Sequence, residues 1–388
     1  MRIAMVGQKG IPATYGGIER HVEEIGARLV ERGHEVTIYS RFHYTKVGGT
    51  HRGMRIRKLP SLNTKHLDTI THCLASTVDA LLQKYDIVHY HALGPSVFAG
   101  LPHLRHSRTV VTVHGLDWQR GKWGKLAAWF LRQCERPAIL FPNRTIVVSR
   151  QLKDYFLENY GIDTAVIPNG VNPGVQRPPN KIRRFGLDQR RYVLFVGRLV
   201  PEKGCHMLLE AFRKVNSDAL LVMAGGSSFS DGYVDTLDRI RDGDERIRML
   251  GYVYGDVLDE LWSNAYLVVQ PSFLEGLSIS LMEAMSHGKC ILASDIPENL
   301  EVVEDCAVTF RTQDMEDLRA KLQYLLDDPI EVERVARGCK TYARDRFSWS
   351  RVVEATEAVY RDVLSRPNIP AQRTRTRPGR GEPARGSP

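Results

Sequence analysis

The sequence has no apolar run near the roughly 18 to 20 residues that a bilayer-spanning helix needs. Its opening, MRIAMVGQKG, has neither an extended apolar stretch nor a small-residue cleavage site, so it reads as a first strand and predicts a cytoplasmic chain. The six cysteines (Cys73, Cys134, Cys205, Cys290, Cys306, Cys339) are scattered without a CxxC pair. That spacing argues against a disulfide framework or a zinc site and for free buried thiols. Neither a GxGxxG nor a GxxxxGK[ST] loop is found, which removes the two commonest nucleotide-binding signatures. A DxD pair, Asp242 and Asp244, lies in the polar run RIRDGDERIR and not after an apolar strand, so it reads as a solvated loop. His89 and His91 project to one side of a strand, but no third ligand at motif spacing completes a metal site.

What is present is a chain of 388 residues, 43% apolar, enough for two ordinary globular domains. The formal charge of +9 is unevenly placed. Arg366, Arg373, Arg375, Arg377, Arg380 and Arg385 face only Glu382 in the last stretch, which carries +5 by itself. That segment is rich in Pro, Gly and Arg with almost nothing apolar, the composition of a disordered tail. It reads as a solubilising tail or as a basic contact with an anionic membrane surface, and not as a nucleic-acid site.

The first half alternates strand-like and helix-like segments. Residues 2–6 form an apolar strand, followed by a loop with Gly7, Gly10, Gly16 and Gly17 and then by Ile18, Val22, Ile25 and Leu29 at helical spacing. Further strands are expected at 35–40, 86–91, 109–114 and 145–149, with Ser149 as N-cap of a helix to about residue 159. The run IPNGVNPGVQRPP breaks the pattern with turn chemistry. Alternation then restarts, with strands at 192–197, 219–224, 246–250, 265–270, 290–294 and 307–310, and helices at 205–215, 278–287 and 350–364. This predicts an α/β protein with two doubly wound Rossmann-like domains, residues 1–172 and 173–347. A bridging helix at 348–365 and the basic tail at 366–388 complete the layout. Ligands of such sheets bind at the carboxyl ends of the strands, so the site is expected in the cleft between the domains.

Three segments carry chemistry. In FLEGLSISLMEAMSHGKC, Glu283 sits in a helix that is apolar nearly all round, so its carboxylate is buried and needs donors, which a ribose diol would supply. Glu275 lies just before that helix. The amides of Leu277, Ser278 and Ile279 form its N-terminus, a natural anion site. Spacing alone leaves a core helix with a salt-bridged Glu equally open. In VLFVGRLVPEKG, Arg198 follows a strand and Lys203 opens a helix. A cation there opposes the helix dipole unless a phosphate shares the place; the other reading is a surface pair with Glu202. Gly16 and Gly17 let backbone approach an anion or simply make a tight turn. His114, in VVTVHGLD, ends a strand where residues of such sheets reach a site, although a lone histidine there is more often structural.

Taken together, YGGIERHVEEIG, TVHG, IPNGV, GRLVPEKG, LGYV and EGLSISLMEAM resemble, in order, the retaining glycosyltransferases of family 4, which have the GT-B fold. The resemblance runs from Met1 to about Leu364. It implies that Gly16 and Gly17 approach the donor phosphate, and that His114 contacts the donor sugar. Arg198 and Lys203 would bind the diphosphate, and Glu283 the ribose. Glu275 would contact the transferred sugar, with backbone at Leu277 to Ile279 completing the phosphate grip and backbone at Tyr252 and Val253 meeting the base. Many members read EGFG and then Pro where this chain has Glu275-Gly276-Leu277-Ser278, and Asp where it has Asn172; both departures leave donor identity open. The opening is similar to a subgroup of bacterial surface-polysaccharide and rhamnosyl transferases.

The resemblance implies transfer with retention from a nucleotide-sugar donor to a saccharide or lipid-linked acceptor, with no cofactor or metal. A lipid-linked acceptor would place the chain at the inner face of the membrane. A nucleotide-sugar epimerase on the same fold and a non-catalytic nucleotide-sugar sensor are the competing readings.

Overall fold

The computed structural model describes all residues except 15, 65, 66, 120–123, 188–190, 228–230 and 368–388, so nearly all of the basic tail lies outside it. Two sheets organise the chain. The first contains β1 (Arg2–Val6), β2 (Glu35–Arg41), β3 (Thr50–His51), β4 (Met54–Leu59), β5 (Ile87–His91), β6 (Arg108–Val113), β7 (Arg144–Val147) and β8 (Ala165–Val166), in the order β3-β4-β2-β1-β5-β6-β7-β8. The second contains β9 (Tyr192–Val196), β10 (Leu220–Ala224), β11 (Ile247–Gly251), β12 (Leu267–Gln270), β13 (Cys290–Ser294) and β14 (Val308–Phe310), in the order β11-β10-β9-β12-β13-β14. All pairings are parallel except β3 with β4. Central strands such as β1, β9 and β12 are nearly all apolar because helices cover both faces. The architecture is two Rossmann-like α/β units, the GT-B arrangement.

Strand order reverses between β1 and β5 in the first sheet and between β9 and β12 in the second. At such switch points the loops diverge to opposite faces and leave a crevice at the carboxyl ends. Four helices either start near these crevices or link the two sheets: α1 (Gly17–Glu31), α2 (Cys205–Arg213), α3 (Ile279–Ser286) and α4 (Trp349–Ser365). The helix Arg150–Tyr160 starts at Ser149, whose Oγ accepts a bond of 3.3 Å from the Leu152 amide.

Chain and sheet do not divide in simple sequence order. After the second sheet, α4 returns to the first. Its Trp349, Val352, Val353, Tyr360 and Val363 share a core with Ile3, Met5, Val22, Ile25 and Leu29. Arg108 Nε donates to the Val363 carbonyl at 3.0 Å, and Glu357 accepts from Arg32 and bonds His34 on the first half. The two crossings between the sheets lie side by side: the Val171 amide donates to the Phe347 carbonyl at 2.7 Å, and Val171 pairs with Ser348. No helix among the described residues is long and apolar enough to cross a membrane.

Candidate active site

The loops after β1, β6, β9 and β12 converge from the two sheets. A Cβ added to Gly276 would lie 2.1 Å from the His114 carbonyl oxygen, so the loop before α3 rests directly on the backbone that follows β6. A Cβ on Gly17 would meet Ile279 Cδ1 at 2.9 Å. The first turns of α1 and α3 therefore face each other across the cleft, and Gly16 and Gly17 are exposed there. Helix N-termini on both sides of the cleft favour an anion at the spot between them, and the Glu19 carboxylate already lies against Gly16 at the start of α1.

The charged groups sit around that spot. Lys203, just before α2, is ion-paired with Glu275, and both side chains are largely buried. Sequence proximity suggested Glu202 as the alternative partner of Lys203; the fold supplies Glu275 from the loop after β12. Ser272 Oγ and Gln270 Nε2 donate to the same Glu275 oxygen at 2.7 and 2.8 Å. Burial raises the Glu275 carboxyl, but Lys203 and these donors outweigh it and hold it below its ordinary value, so it is a fixed anion. Arg198 follows β9 directly, half-buried.

Glu283 is buried on α3, as its apolar surroundings require, and its donor is Arg20 on α1. Burial pushes its carboxyl above the usual range and Arg20 pulls it back only in part. The sequence reading left a ribose diol or a salt bridge as its partner; here it is a salt bridge, made across the cleft. Leu277 and Ser278 are buried at the start of α3, and Ser278 Oγ is buried without a hydrogen-bond partner. Tyr252 and Val253 follow β11 at the edge of the crevice. The Tyr252 hydroxyl donates to the Ser227 carbonyl at 2.6 Å, and its ring stacks on Tyr254 with centroids 6.2 Å apart.

The DxD pair lies at the other end of the sheet, before β11. Asp244 is held by Arg246 through bonds of 3.0 and 2.8 Å, which depress its carboxyl. It is a structural clasp far from the carboxyl ends of the strands.

The feature that sequence reading missed is His21. Nothing in its helical context marks it, yet α1 carries its ring to 4.8 Å from that of His114 and 5.7 Å from that of His91. His89, one strand step below His91, bonds the Tyr360 hydroxyl at 2.6 Å and Thr112 Oγ1 at 2.7 Å. Burial pushes His21 down to about 4, His89 to about 3 and His91 well below its usual value, so all three are neutral at neutral pH. Burial lowers His72, in the first half, to about 4 as well.

A base whose folded pKa is depressed stabilises the fold fully above its unfolded value of 6.5, and that contribution is lost as pH falls toward the folded value. Between about pH 6.5 and pH 4, unfolding should therefore be accompanied by proton uptake at these four imidazoles. Denaturant titrations across that range should show a steep fall in stability. A flat profile there would contradict neutral buried imidazoles.

Two sequence families match successive parts of this chain. The profile of Glycosyltransferase Family 4 covers residues 15–175, and that of Glycosyl transferases group 1 covers residues 179–346. The chain is a glycosyltransferase that resembles family 4. The alpha-maltose-1-phosphate synthase of Mycobacterium tuberculosis is 28% identical over 407 residues, covering 94% of this chain and all of that protein. Among solved structures, the sucrose-phosphate synthase of Thermosynechococcus elongatus has a TM-score of 0.81 at 20% identity, over 94% of this chain and 99% of that one. Anabaena HepE, in complex with UDP and glucose, has a TM-score of 0.79 at 19% identity, over 93% and 100%. These structures share the GT-B fold of this glycosyltransferase.

Proposed function

We propose that this glycosyltransferase moves a hexosyl or rhamnosyl-type sugar from a nucleoside diphosphate to an acceptor hydroxyl. Transfer proceeds with retention and without a metal, in the assembly of bacterial surface polysaccharide or glycolipid. The observation that carries it is the meeting of two helix N-termini with the Lys203–Glu275 pair at the mouth of both switch points. In this reading these groups hold the diphosphate. HepE, similar in fold, is solved in complex with UDP and glucose, which supports a nucleoside diphosphate as a ligand here.

In this reading residues 1–172 hold the acceptor and residues 173–347 the donor. Gly16, Gly17 and the amides of Leu277, Ser278 and Ile279 meet the phosphates. Arg198 and Lys203 neutralise the leaving diphosphate, taking the part a metal plays in other transferases. The bond between the anomeric carbon and the diphosphate oxygen breaks, and its electron pair leaves with the phosphate. The acceptor oxygen bonds the same face of that carbon and gives its proton to the departing phosphate. Glu275 and His114 orient the sugar hydroxyls, Glu283 holds the ribose, and backbone at Tyr252 and Val253 meets the base. A lipid-linked acceptor would bring the enzyme to the inner membrane face.

Incubation with a panel of nucleotide sugars and an acceptor mixture tests this. Labelled sugar should appear on acceptor with full activity in chelator, and Asp244→Ala should leave the rate unchanged. A changed sugar still on its nucleotide, or binding without turnover, would refute transfer. Glu283→Gln should raise the donor KM by roughly 10- to 100-fold, the worth of a hydrogen bond to a charged group, with a smaller effect on kcat. An unchanged KM would remove Glu283 from the ribose.

A further inference from the structure

Three imidazoles from three separate segments meet on the first-sheet side of the cleft. His21 comes from α1, His91 is the last residue of β5, and His114 stands just past β6. One ring nitrogen from each lies within 4.8 Å of the others. His91 Nδ1 is 3.3 Å from His114 Nε2. His91 is fully buried and His21 nearly so, while His114 is half-buried and opens the group to the cleft.

Hydrogen bonding leaves His21 and His91 incompletely satisfied. His21 Nδ1 is buried without a hydrogen-bond partner, and on His91 it is Nε2 that is unpartnered while Nδ1 stands beside His114. A neutral imidazole has one N–H and one lone pair, so two rings can share a hydrogen, but a third brought to the same point adds another nitrogen to satisfy. Lone pairs that converge are best satisfied by a common electrophile.

We propose that His21, His91 and His114 form a binding site for a divalent transition-metal ion of the zinc, cobalt or nickel class. With metal–nitrogen bonds of about 2.0–2.1 Å, a tetrahedral site has ligand nitrogens roughly 3.3 Å apart. His91 and His114 already stand at that separation, and a ring nitrogen of His21 lies within 4.8 Å of a nitrogen of each. The donor set selects the ion. Three imidazoles without carboxylate or thiolate suit a borderline metal, whereas magnesium and calcium require oxygen. His91 is backed by His89, whose ring centroid is 4.2 Å away and whose two nitrogens are tied to Tyr360 and Thr112. The strand side of the site is thus held in place, and half-buried His114 opens it to the cleft.

The ion takes no part in transfer. By holding the His114 ring it withdraws that ring from the donor sugar, so occupancy switches the enzyme off. This consequence rests on the role proposed for His114; the binding does not.

The test uses the full-length protein stripped of metal. Titration with cobalt(II) should give the visible bands of a tetrahedral site at one equivalent. His21→Ala and His91→Ala should each weaken cobalt binding at least tenfold with the circular dichroism unchanged. X-ray absorption on the zinc-loaded wild type should show three imidazole ligands, which needs no variant to fold. Absence of the bands, bands that survive both substitutions, or fewer than three imidazoles would overturn the site. In transfer assays zinc should inhibit, a chelator should restore the rate, and His21→Ala should shift inhibition to at least tenfold higher zinc. Cobalt bands at this site with no zinc inhibition would overturn the switch and the role of His114 together, while leaving transfer itself standing.

Discussion

Lys203→Ala should lower kcat by about 10²- to 10³-fold, the usual cost of removing one group placed where charge develops. Lys203 has two tasks. In the structure it neutralises Glu275, which is buried and ionised. In turnover it meets the leaving diphosphate. Removing it strands a buried carboxylate, which should cost about 3–5 kcal/mol of stability. The Glu275 carboxyl should then climb, because burial raises it and its main opposing charge is gone. The two tasks separate in a double variant. Adding Glu275→Gln to Lys203→Ala should recover most of the stability, since a neutral amide can stay bonded near Ser272, but should recover none of the turnover. If turnover returned with stability, Lys203 would be a structural counterion and the diphosphate assignment would fall.

Gly276→Ala should lower kcat/KM by roughly 10²-fold, the effect of misplacing reacting groups by about 1 Å. The added methyl carbon would stand 2.1 Å from the His114 carbonyl oxygen, and both partners are backbone, so neither can rotate away. The clash is relieved by moving the two sheets apart. Each sheet keeps its own strands and helices, so the melting temperature should change little, while small-angle scattering should report a larger radius of gyration. A variant with wild-type kcat/KM would mean that this approach of the two halves is not the reactive one.

Much of the fold was legible because central parallel strands are continuous apolar runs between helical periods. β1 and β13 fall on the residues that the pattern indicates, and most other strands differ by one or two residues. The misses have two causes. β4, with the sequence MRIRKL, lies near the sheet edge and carries three cations, while β3 and β8 have two residues each, too short for any periodicity. The helix at 205–215 stops at Arg213, where the Lys214 and Val215 amides turn to the carbonyls three residues back, Ala211 and Phe212.

The site was legible as a set of residues and not as a set of contacts. Glu283 was readable as a buried acid in need of donors, but Arg20 stands in an ordinary amphipathic helix and nothing local links the two. Lys203 and Glu275 each suggested a nearer or different partner, and the fold pairs them with each other. His21 gave no signal at all, because a histidine on a helix acquires meaning only from the strands beside it. Pairings across a cleft are products of topology, and periodicity does not encode them.

The paired crossings at Val171 and Ser348 have a mechanical consequence. A single connecting segment would let two bodies tumble freely, whereas two adjacent segments act like the knuckles of a door hinge. They permit a swing about the line that joins them and resist twisting and sliding. Opening and closing then reduce to one angle, and every closure returns Gly276 to the same place on His114. Cutting the chain within one crossing would leave the halves attached by the other, with the swing intact in amplitude but no longer confined to one axis.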